Sequence, residues 1–101
     1  MGNVPKLGEA EIREALRELP DWRMEGGKLH RVYRFRDFVE AWGFMSAAAL
    51  LIQQMDHHPE WSNVYHTVTV DLVTHDAGGV SARDLELARK LEALAKRWPR
   101  G

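Results

Sequence analysis

Residues 57–79 read HHPEWSNVYHTVTVDLVTHDAGG, and the rest of the chain is best understood from them. Three of the five histidines stand at the two ends of this segment: His57 and His58 at its start and His75 near its end. Apolar and polar residues alternate from Val64 onward, which is typical of a β-strand with one buried face. Because histidine gains and loses protons near neutral pH, we interpret the gathered imidazoles as a proton-transfer site.

The separation of these histidines predicts a break in the strand. A single straight strand from Trp61 to Thr74 would be roughly 40 Å long, so imidazoles at its two ends would never meet. We therefore expect the chain to double back between Trp61 and Thr67, which makes two short strands. Asn63 is the residue there that best tolerates an unusual backbone conformation.

A long helix is predicted to precede the histidines. Asp37 is a suitable N-cap, and the helix should end near His57 because Pro59 keeps the preceding residue out of the helical conformation. The apolar residues of this helix form two adjacent stripes: Phe38, Trp42, Met45, Ala49 and Ile52, and beside them Phe44, Ala48, Leu51 and Met55. An apolar surface this broad predicts packing against a partner subunit as well as against the chain's own sheet.

A helix and a hairpin are predicted nearer the amino terminus. Residues Glu9–Leu19 carry an apolar stripe and are followed by Pro20, which indicates a first helix that ends there. Two short extended runs, Trp22–Met24 and Lys28–Phe35, flank a turn that contains Gly26 and Gly27, and this pattern is typical of a β-hairpin.

The order of elements favours one fold class. Ser81 and Asp84 match a capping box that opens a last helix, which Pro99 is expected to end. The predicted order of elements is helix, strand pair, helix, strand region and helix, without βα alternation. This order favours an α+β domain in which helices cover one face of an antiparallel sheet.

Strand alternation also assigns individual side chains to the two faces of the sheet. One set is predicted to face the core: Val64, Val68, Val70 and Leu72, with His66 among them as a structural histidine. His30 is predicted to face solvent. A cluster of arginines is interpreted as a solvated strand end and not as a phosphate site: Arg31, Arg34 and Arg36.

Composition limits the classes of protein that fit. The 101 residues predict a single domain over 1–101, and a formal net charge of -1 does not favour a nucleic-acid partner. The absence of cysteine excludes disulfides and thiolate chemistry and fits a reducing compartment. No apolar run resembles a secretory signal or reaches the roughly 20 residues that span a membrane, so we expect a cytoplasmic protein with no membrane partner.

These residues resemble a known family, the pterin-4a-carbinolamine dehydratases. The resemblance is carried by three motifs and one further residue: Asp56-His57-His58-Pro59-Glu60-Trp61, Asn63-Val64-Tyr65, Thr74-His75-Asp76 and Asp84. Around them it extends over most of the chain, from Trp22 to Leu87. It implies a four-stranded antiparallel sheet with three helices packed on one face, in the order α-β-β-α-β-β-α. It also implies a homo-oligomer, either a dimer or a tetramer. The implied activity is the dehydration of 4a-hydroxytetrahydropterin to quinonoid dihydropterin, which recycles the pterin cofactor of the aromatic amino-acid hydroxylases.

The resemblance also implies roles for single residues. His57 and His75 are the expected acid/base pair, and His58 belongs to the same catalytic set and holds the pterin. Asp84 would orient or charge-stabilise a histidine, a role compatible with its place in the capping box. Which imidazole protonates the hydroxyl stays open, and the mechanism needs neither a metal nor a bound cofactor.

Two further substrate contacts are expected at Gln53 and Trp61. Trp61 is interpreted as a packing residue or a wall of the pocket. Gln53 stands where many members of the family have Glu. Its amide can still hydrogen-bond the edge of a pterin, but it cannot act as a base.

Two other functions compete with this interpretation. Three histidines and a carboxylate could hold Zn²⁺. However, the adjacent His57 and His58 point in divergent directions and are awkward ligands for one ion. Alternatively, the broad apolar helix would make the chain an interaction module, a dimerisation cofactor for a partner protein. The complete set of histidines favours the enzyme, and the two activities are compatible.

Overall fold

The computed structural model describes residues 4–98. Three α-helices and four β-strands follow the order α-β-β-α-β-β-α, with a short 3₁₀ helix before the last α-helix. The helices are α1 (Glu9–Leu16), α2 (Phe38–Met55) and α3 (Ala82–Ala95). The strands are β1 (Arg23–Glu25), β2 (Lys28–Arg34), β3 (Glu60–Val64) and β4 (Thr67–Leu72), and the 3₁₀ helix is His75–Ala77.

The four strands form one antiparallel sheet in the order β1-β2-β4-β3. The two central strands pair so that Leu29 lies opposite Leu72 and Tyr33 lies opposite Val68, and all four side chains are buried. Helices α2 and α3 contribute their apolar side chains to the same core. The structure therefore confirms the α+β class, the four-stranded sheet and the three helices.

Aromatic side chains from three parts of the chain meet in the core. The ring of Phe44 in α2 lies 4.9 Å from the ring of Tyr33 and 5.1 Å from that of Phe35, measured between centroids. Trp98 packs edge-on against Phe35 and Phe44. Large buried rings contribute strongly to stability, so this cluster fixes α2 against the sheet.

Both ends of α2 follow the prediction. The side chain of Asp37 accepts a hydrogen bond from the backbone N–H of Glu40 at 2.9 Å, which caps the helix. The helix ends at Met55, and Asp56 adopts a left-handed conformation with φ of 51°. The chain consequently turns sharply and delivers His57 and His58 just beyond the helix.

The predicted break in the strand is confirmed, but its turn residue is not Asn63. The chain reverses at Tyr65 and His66, between the paired residues Val64 and Thr67, and Tyr65 is the residue with positive φ, at 51°. Asn63 remains in β3, and its side-chain amide donates to the carbonyls of Tyr65 and Thr67, each at 3.0 Å. Asn63 therefore stabilises the turn from outside it.

The same turn corrects the prediction for Val64, whose side chain is exposed. A two-residue turn places Val64 opposite Thr67, whereas Val68 pairs with Asn63. The alternation of faces consequently changes phase across the turn. Val68, Val70 and Leu72 face the core as predicted, and Val64 faces the opposite side of the sheet.

Arg31 is buried, in contrast to the predicted solvated strand end. Its guanidinium donates two hydrogen bonds of 3.1 Å to Glu92 and lies 4.0 Å over the ring of Tyr33. Glu92 also accepts from Trp22 Nε1 at 2.9 Å and from the Tyr33 hydroxyl at 3.0 Å. Burial acts to raise the pKa of Glu92, but the hydrogen bonds from Arg31, Trp22 and Tyr33 and the charge of Arg31 lower it below its usual value. Helix α3 thus supplies Glu92 as the partner of Arg31, from 61 residues further along the chain.

Three smaller predictions also need correction. His30 does not face open solvent, because its Nδ1 lies 2.8 Å from Asp71 on the adjacent strand and only 14% of its side chain is exposed. Helix α1 ends at Leu16, and Leu19 is buried beyond it in a turn. Helix α3 ends at Ala95, and the predicted stop at Pro99 lies outside the described residues.

Over residues 4–98 no helix is long and apolar enough to cross a bilayer.

Candidate active site

The hairpin of β3 and β4 brings the three histidines to one cavity. The cavity has a volume of about 290 Å³ and lies where the segment after α2, the end of β4 and the start of α3 meet. Its lining comprises Val4, Asp56, His57, His58, Val73, Thr74, His75, Asp76 and Arg83. The predicted reversal of the chain between β3 and β4 therefore brings the three histidines to one cavity.

His57 and Asp84 form the best-defined contact at this cavity. Nε2 of His57 lies 2.6 Å from Oδ1 of Asp84, the carboxylate is fully buried, and only 11% of the His57 side chain is exposed. A carboxylate only accepts hydrogen bonds, so we assign the shared proton to Nε2 of His57. Nδ1 is then the nitrogen of His57 that remains free to exchange a proton in the cavity.

Asp84 is held by two further donors. The hydroxyl of Thr74 donates to its Oδ2 at 2.7 Å, and the backbone N–H of Ser81 donates to the same oxygen at 2.8 Å. The Ser81 hydroxyl lies 2.6 Å from that of Thr74 and accepts from the backbone N–H of Arg83. The capping box predicted at Ser81 and Asp84 is present, and one carboxylate both caps α3 and orients His57.

Each of the other two cavity histidines also lies near a carboxylate. Nε2 of His58 is 3.2 Å from Asp56, and both side chains are largely exposed. Nε2 of His75 is 3.5 Å from Glu60 on β3, and 79% of the His75 side chain is exposed. The cavity therefore combines one buried histidine–carboxylate pair with two solvent-accessible ones.

The short 3₁₀ helix sets the position of His75. Gly78 follows it with φ of 76°, a backbone conformation that residues other than glycine rarely adopt. The tight turn is closed by backbone hydrogen bonds that Thr74 and Gly79 exchange. His75 consequently projects at the rim of the cavity, whereas Thr74 points inward to Asp84.

Two predicted substrate contacts, Gln53 and Trp61, do not line this cavity. Gln53 is exposed on the last turns of α2. Trp61 is partly buried against the core and borders a separate shallow depression on the sheet. The structure therefore brings His57, His58, His75 and Asp84 together and leaves these two residues outside.

Arg83 is a cavity residue that the sequence did not single out. Its guanidinium donates to the backbone carbonyl of Met55, at the end of α2. This hydrogen bond joins the last turn of α2 to the first turn of α3, the two helix ends that carry His57 and Asp84. Local sequence holds no signal for this contact, because its partner is a main-chain carbonyl 28 residues away.

The arrangement of the cavity histidines differs from that of a metal site. Between residues 4 and 98 no group of three or more His, Asp or Glu side chains is arranged to hold a metal ion. In the arrangement present, His57, His58 and His75 each approach a carboxylate of their own. Paired in this way, the imidazoles have the partners that acid–base chemistry uses.

The fold and the site define the class of protein: a small α+β domain with carboxylate-paired histidines at one cavity. The profile of the family described as Pterin 4 alpha carbinolamine dehydratase matches residues 5–94. The chain belongs to this family. A protein of Solibacter usitatus provisionally named a pterin-4-alpha-carbinolamine dehydratase is 59% identical over 90 residues, which cover 89% of this chain and 95% of that protein. A relative from Rhodopseudomonas palustris with the same provisional name is 52% identical over 94 residues, which cover 91% of this chain and 93% of the relative.

Solved structures agree with the fold. A crystal structure described as a transcriptional coactivator/pterin dehydratase from Brucella melitensis superposes with a TM-score of 0.85 and 46% identity, and covers 89% of this chain and 98% of that chain. A pterin dehydratase-like protein described as a RuBisCO assembly factor in the alpha-carboxysome superposes with a TM-score of 0.65 and 24% identity, over 74% of this chain and 89% of that one. The second likeness shows a shared fold alone.

Proposed function

We propose that the protein is a dehydratase that converts 4a-hydroxytetrahydropterin to quinonoid dihydropterin and water by histidine acid–base catalysis. The observation that carries the proposal is the 2.6 Å contact between His57 and the buried Asp84, in the wall of a cavity that His58 and His75 also line. Membership of the pterin carbinolamine dehydratase family supports the choice of a pterin substrate.

The reaction needs two proton transfers, and the cavity offers groups for both. The C4a–O bond breaks as a proton is delivered to the leaving hydroxyl, which departs as water. A proton is removed from a ring nitrogen of the pterin, and its electron pair completes the quinonoid system. We assign these transfers to His57 and His75, which hold different positions at the cavity: one in its wall and the other at its exposed rim.

The buried pair is suited to repeated proton exchange. Nε2 of His57 is occupied by Asp84, which fixes the orientation of the ring, so only Nδ1 meets the substrate. His58 is proposed to hold the pterin and to belong to the catalytic set. Gln53 and Trp61 remain secondary candidates for substrate contact, because neither lines the cavity.

The test is the dehydration rate of enzymatically generated 4a-hydroxytetrahydropterin, followed by ultraviolet absorbance. We expect the wild type to accelerate the reaction, and His57→Ala and His75→Ala each to reduce this acceleration about 10²-fold or more, the usual contribution of a positioned acid or base. His66→Ala is the matched control, because His66 lies in the β3–β4 turn and does not line the cavity. No acceleration by folded wild-type protein would refute the proposal.

We also propose that the protein acts as a homo-oligomer in the cytoplasm. Helix α2 exposes Phe38, Val39, Trp42 and Leu50, and the rings of Phe38 and Trp42 stack with centroids 6.0 Å apart. No exposed residue of α2 carries a charge, so a second copy can pack on this face without burying a charged side chain.

The same face supports the second candidate function, an interaction module that binds a partner protein. An aromatic amino-acid hydroxylase is the proposed functional partner, since it would produce the substrate.

A further inference from the structure

Glu60 connects the cavity to the uncovered face of the sheet. It is the first residue of β3, and its two carboxylate oxygens point to different partners. Oε1 lies 2.5 Å from Nζ of Lys28 on β2, and Oε2 lies 3.5 Å from Nε2 of His75. The strand order β2-β4-β3 places one strand between Glu60 and Lys28, so this contact spans β4.

We propose that Glu60 is a positioning residue for His75, and that Lys28 controls how strongly the Glu60 carboxylate acts on that imidazole. His75 has little else to hold it, because 79% of its side chain is exposed and it lies in a three-residue 3₁₀ helix. A carboxylate on the adjacent β3 favours the imidazolium form and the ring orientation that turns Nε2 toward it. His75 then has a carboxylate partner, as His57 has in Asp84, but its contact is longer and more exposed: 3.5 Å against 2.6 Å.

The charge state of Glu60 fits this role. The hydrogen bond from Lys28 lowers the pKa of Glu60 below its usual value against an opposing effect of burial, and the neighbouring His75 lowers it further. The same hydrogen bond raises the pKa of Lys28. Carboxylate and ammonium therefore both stay charged throughout the pH range in which histidines titrate.

Lys28 and His75 compete for one carboxylate. A carboxylate that is tightly paired with an ammonium group has less negative potential to offer a second cation. Removal of Lys28 should accordingly strengthen the effect of Glu60 on His75, whereas removal of Glu60 should abolish it. The other ionisable groups near this contact stay unchanged in the comparison. Asp71 of β4 lies opposite Glu60 in the sheet, also raises the pKa of Lys28 and contacts His30. The remaining groups line the cavity: Asp56, His57, His58, Asp76 and Arg83.

The proposal is tested by NMR titration of the imidazole Cε1–H signal of His75 in the intact protein. In Glu60→Gln we expect the titration midpoint to move to lower pH by about 0.2 to 0.7 units, the range that an exposed ion pair supports. In Lys28→Met we expect a movement to higher pH. In the double variant the effect of the Lys28 substitution should be much smaller than in the wild-type background, because the carboxylate through which it acts is gone.

Glu86→Gln is the matched control. Glu86 is also an exposed carboxylate in an ion pair, 3.3 Å from Lys90, but it does not line the cavity. The midpoint of His75 should not move in this variant. An unchanged midpoint in Glu60→Gln would overturn the proposal. So would a Lys28 effect of equal size with and without Glu60, since Lys28 would then act on His75 directly.

The catalytic meaning of this arrangement rests on the dehydratase function proposed above, whereas the titration does not. If the function holds, Glu60→Gln should lower kcat several-fold with little change in KM, and the limb of the pH–rate profile that belongs to His75 should move in the direction of its titration. Titration shifts as expected in a protein without dehydratase activity would refute the proposed function and leave the role of Glu60 intact.

Discussion

The imidazole of His57 and the carboxylate of Asp84 lie 2.6 Å apart, although 27 residues separate them in the chain. Asp84 is completely buried and caps α3, and His57 stands in the wall of the cavity directly after the turn that ends α2. The contact therefore joins two helix ends and orients an imidazole with the same hydrogen bond. Any change at Asp84 is expected to affect both stability and the proposed catalysis.

Asp84→Asn tests both roles of this carboxylate. The asparagine side chain keeps the shape but presents an NH₂ group to one of three donors, from His57, Thr74 and Ser81. We expect a loss of about 1 to 3 kcal/mol in the free energy of unfolding, measured with urea, because a buried donor loses its acceptor. The dehydration rate of the folded variant should fall about 10²-fold or more. A folded variant with the wild-type rate would show that Asp84 serves only as a cap.

Thr74→Val should reproduce part of this effect through the second oxygen of Asp84. The Thr74 hydroxyl donates to Asp84 and contacts the Ser81 hydroxyl, and valine replaces it with a methyl group of similar size. We expect a loss of about 1 to 2 kcal/mol in unfolding free energy and a lower kcat. Thr74→Ser keeps the hydroxyl and should restore most of the rate. Equal rates for the valine and serine variants would show that this hydroxyl does not position the pair.

Glu92→Gln should remove a pH-dependent part of the stability. The pKa of Glu92 is lowered in the folded state, since hydrogen bonds and the charge of Arg31 outweigh its burial. The ionised carboxylate hence stabilises the fold fully above the unfolded value of about 4.3, and this stability is lost as the pH falls through the lower folded value. Urea unfolding should show the wild type more stable than the variant by about 1 to 3 kcal/mol at pH 7, with a smaller difference below about pH 4. A difference that does not depend on pH would contradict this assignment.

Trp42→Glu should weaken the proposed self-association. The indole is 55% exposed on the uncharged face of α2, and a carboxylate there would be buried without a partner in an interface between two copies. Sedimentation velocity should show an oligomer for the wild type and a shift to monomer for the variant. Tyr65→Glu is the control, because Tyr65 is similarly exposed, at 62%, but lies in the β3–β4 turn. A monomeric wild type at all concentrations would refute the homo-oligomer.

Local patterns in the sequence predicted the helices, the hairpins and most of the core. Asp37 caps the start of α2 with its side chain, and Pro59 disfavours a helical conformation at His58, so both signals act within a few residues. The capping box at Ser81 was equally local, and it is present. The break between β3 and β4 was inferred from length alone, because one strand could not bring the histidines together.

The errors had two causes: a partner far along the chain for Arg31, and the length of the β3–β4 turn for Val64. Arg31 was expected in solvent, but it is buried because Glu92 of α3 lies over the sheet and neutralises it. Val64 was expected in the core, but the two-residue turn reversed its face. Neither the position of α3 nor the exact turn follows from local propensity.

The sequence by itself determined the elements, the family resemblance and the three histidines, since these depend on residue type and short-range spacing. Only the tertiary structure decided which carboxylate each histidine meets: Asp84 for His57, Asp56 for His58 and Glu60 for His75. It also decided that Gln53 and Trp61 lie outside the cavity, and that Arg83 is part of its lining. The physical reason is that hydrogen bonds and ion pairs act over a few ångströms, and only the packing of helices on the sheet brings distant residues within that range.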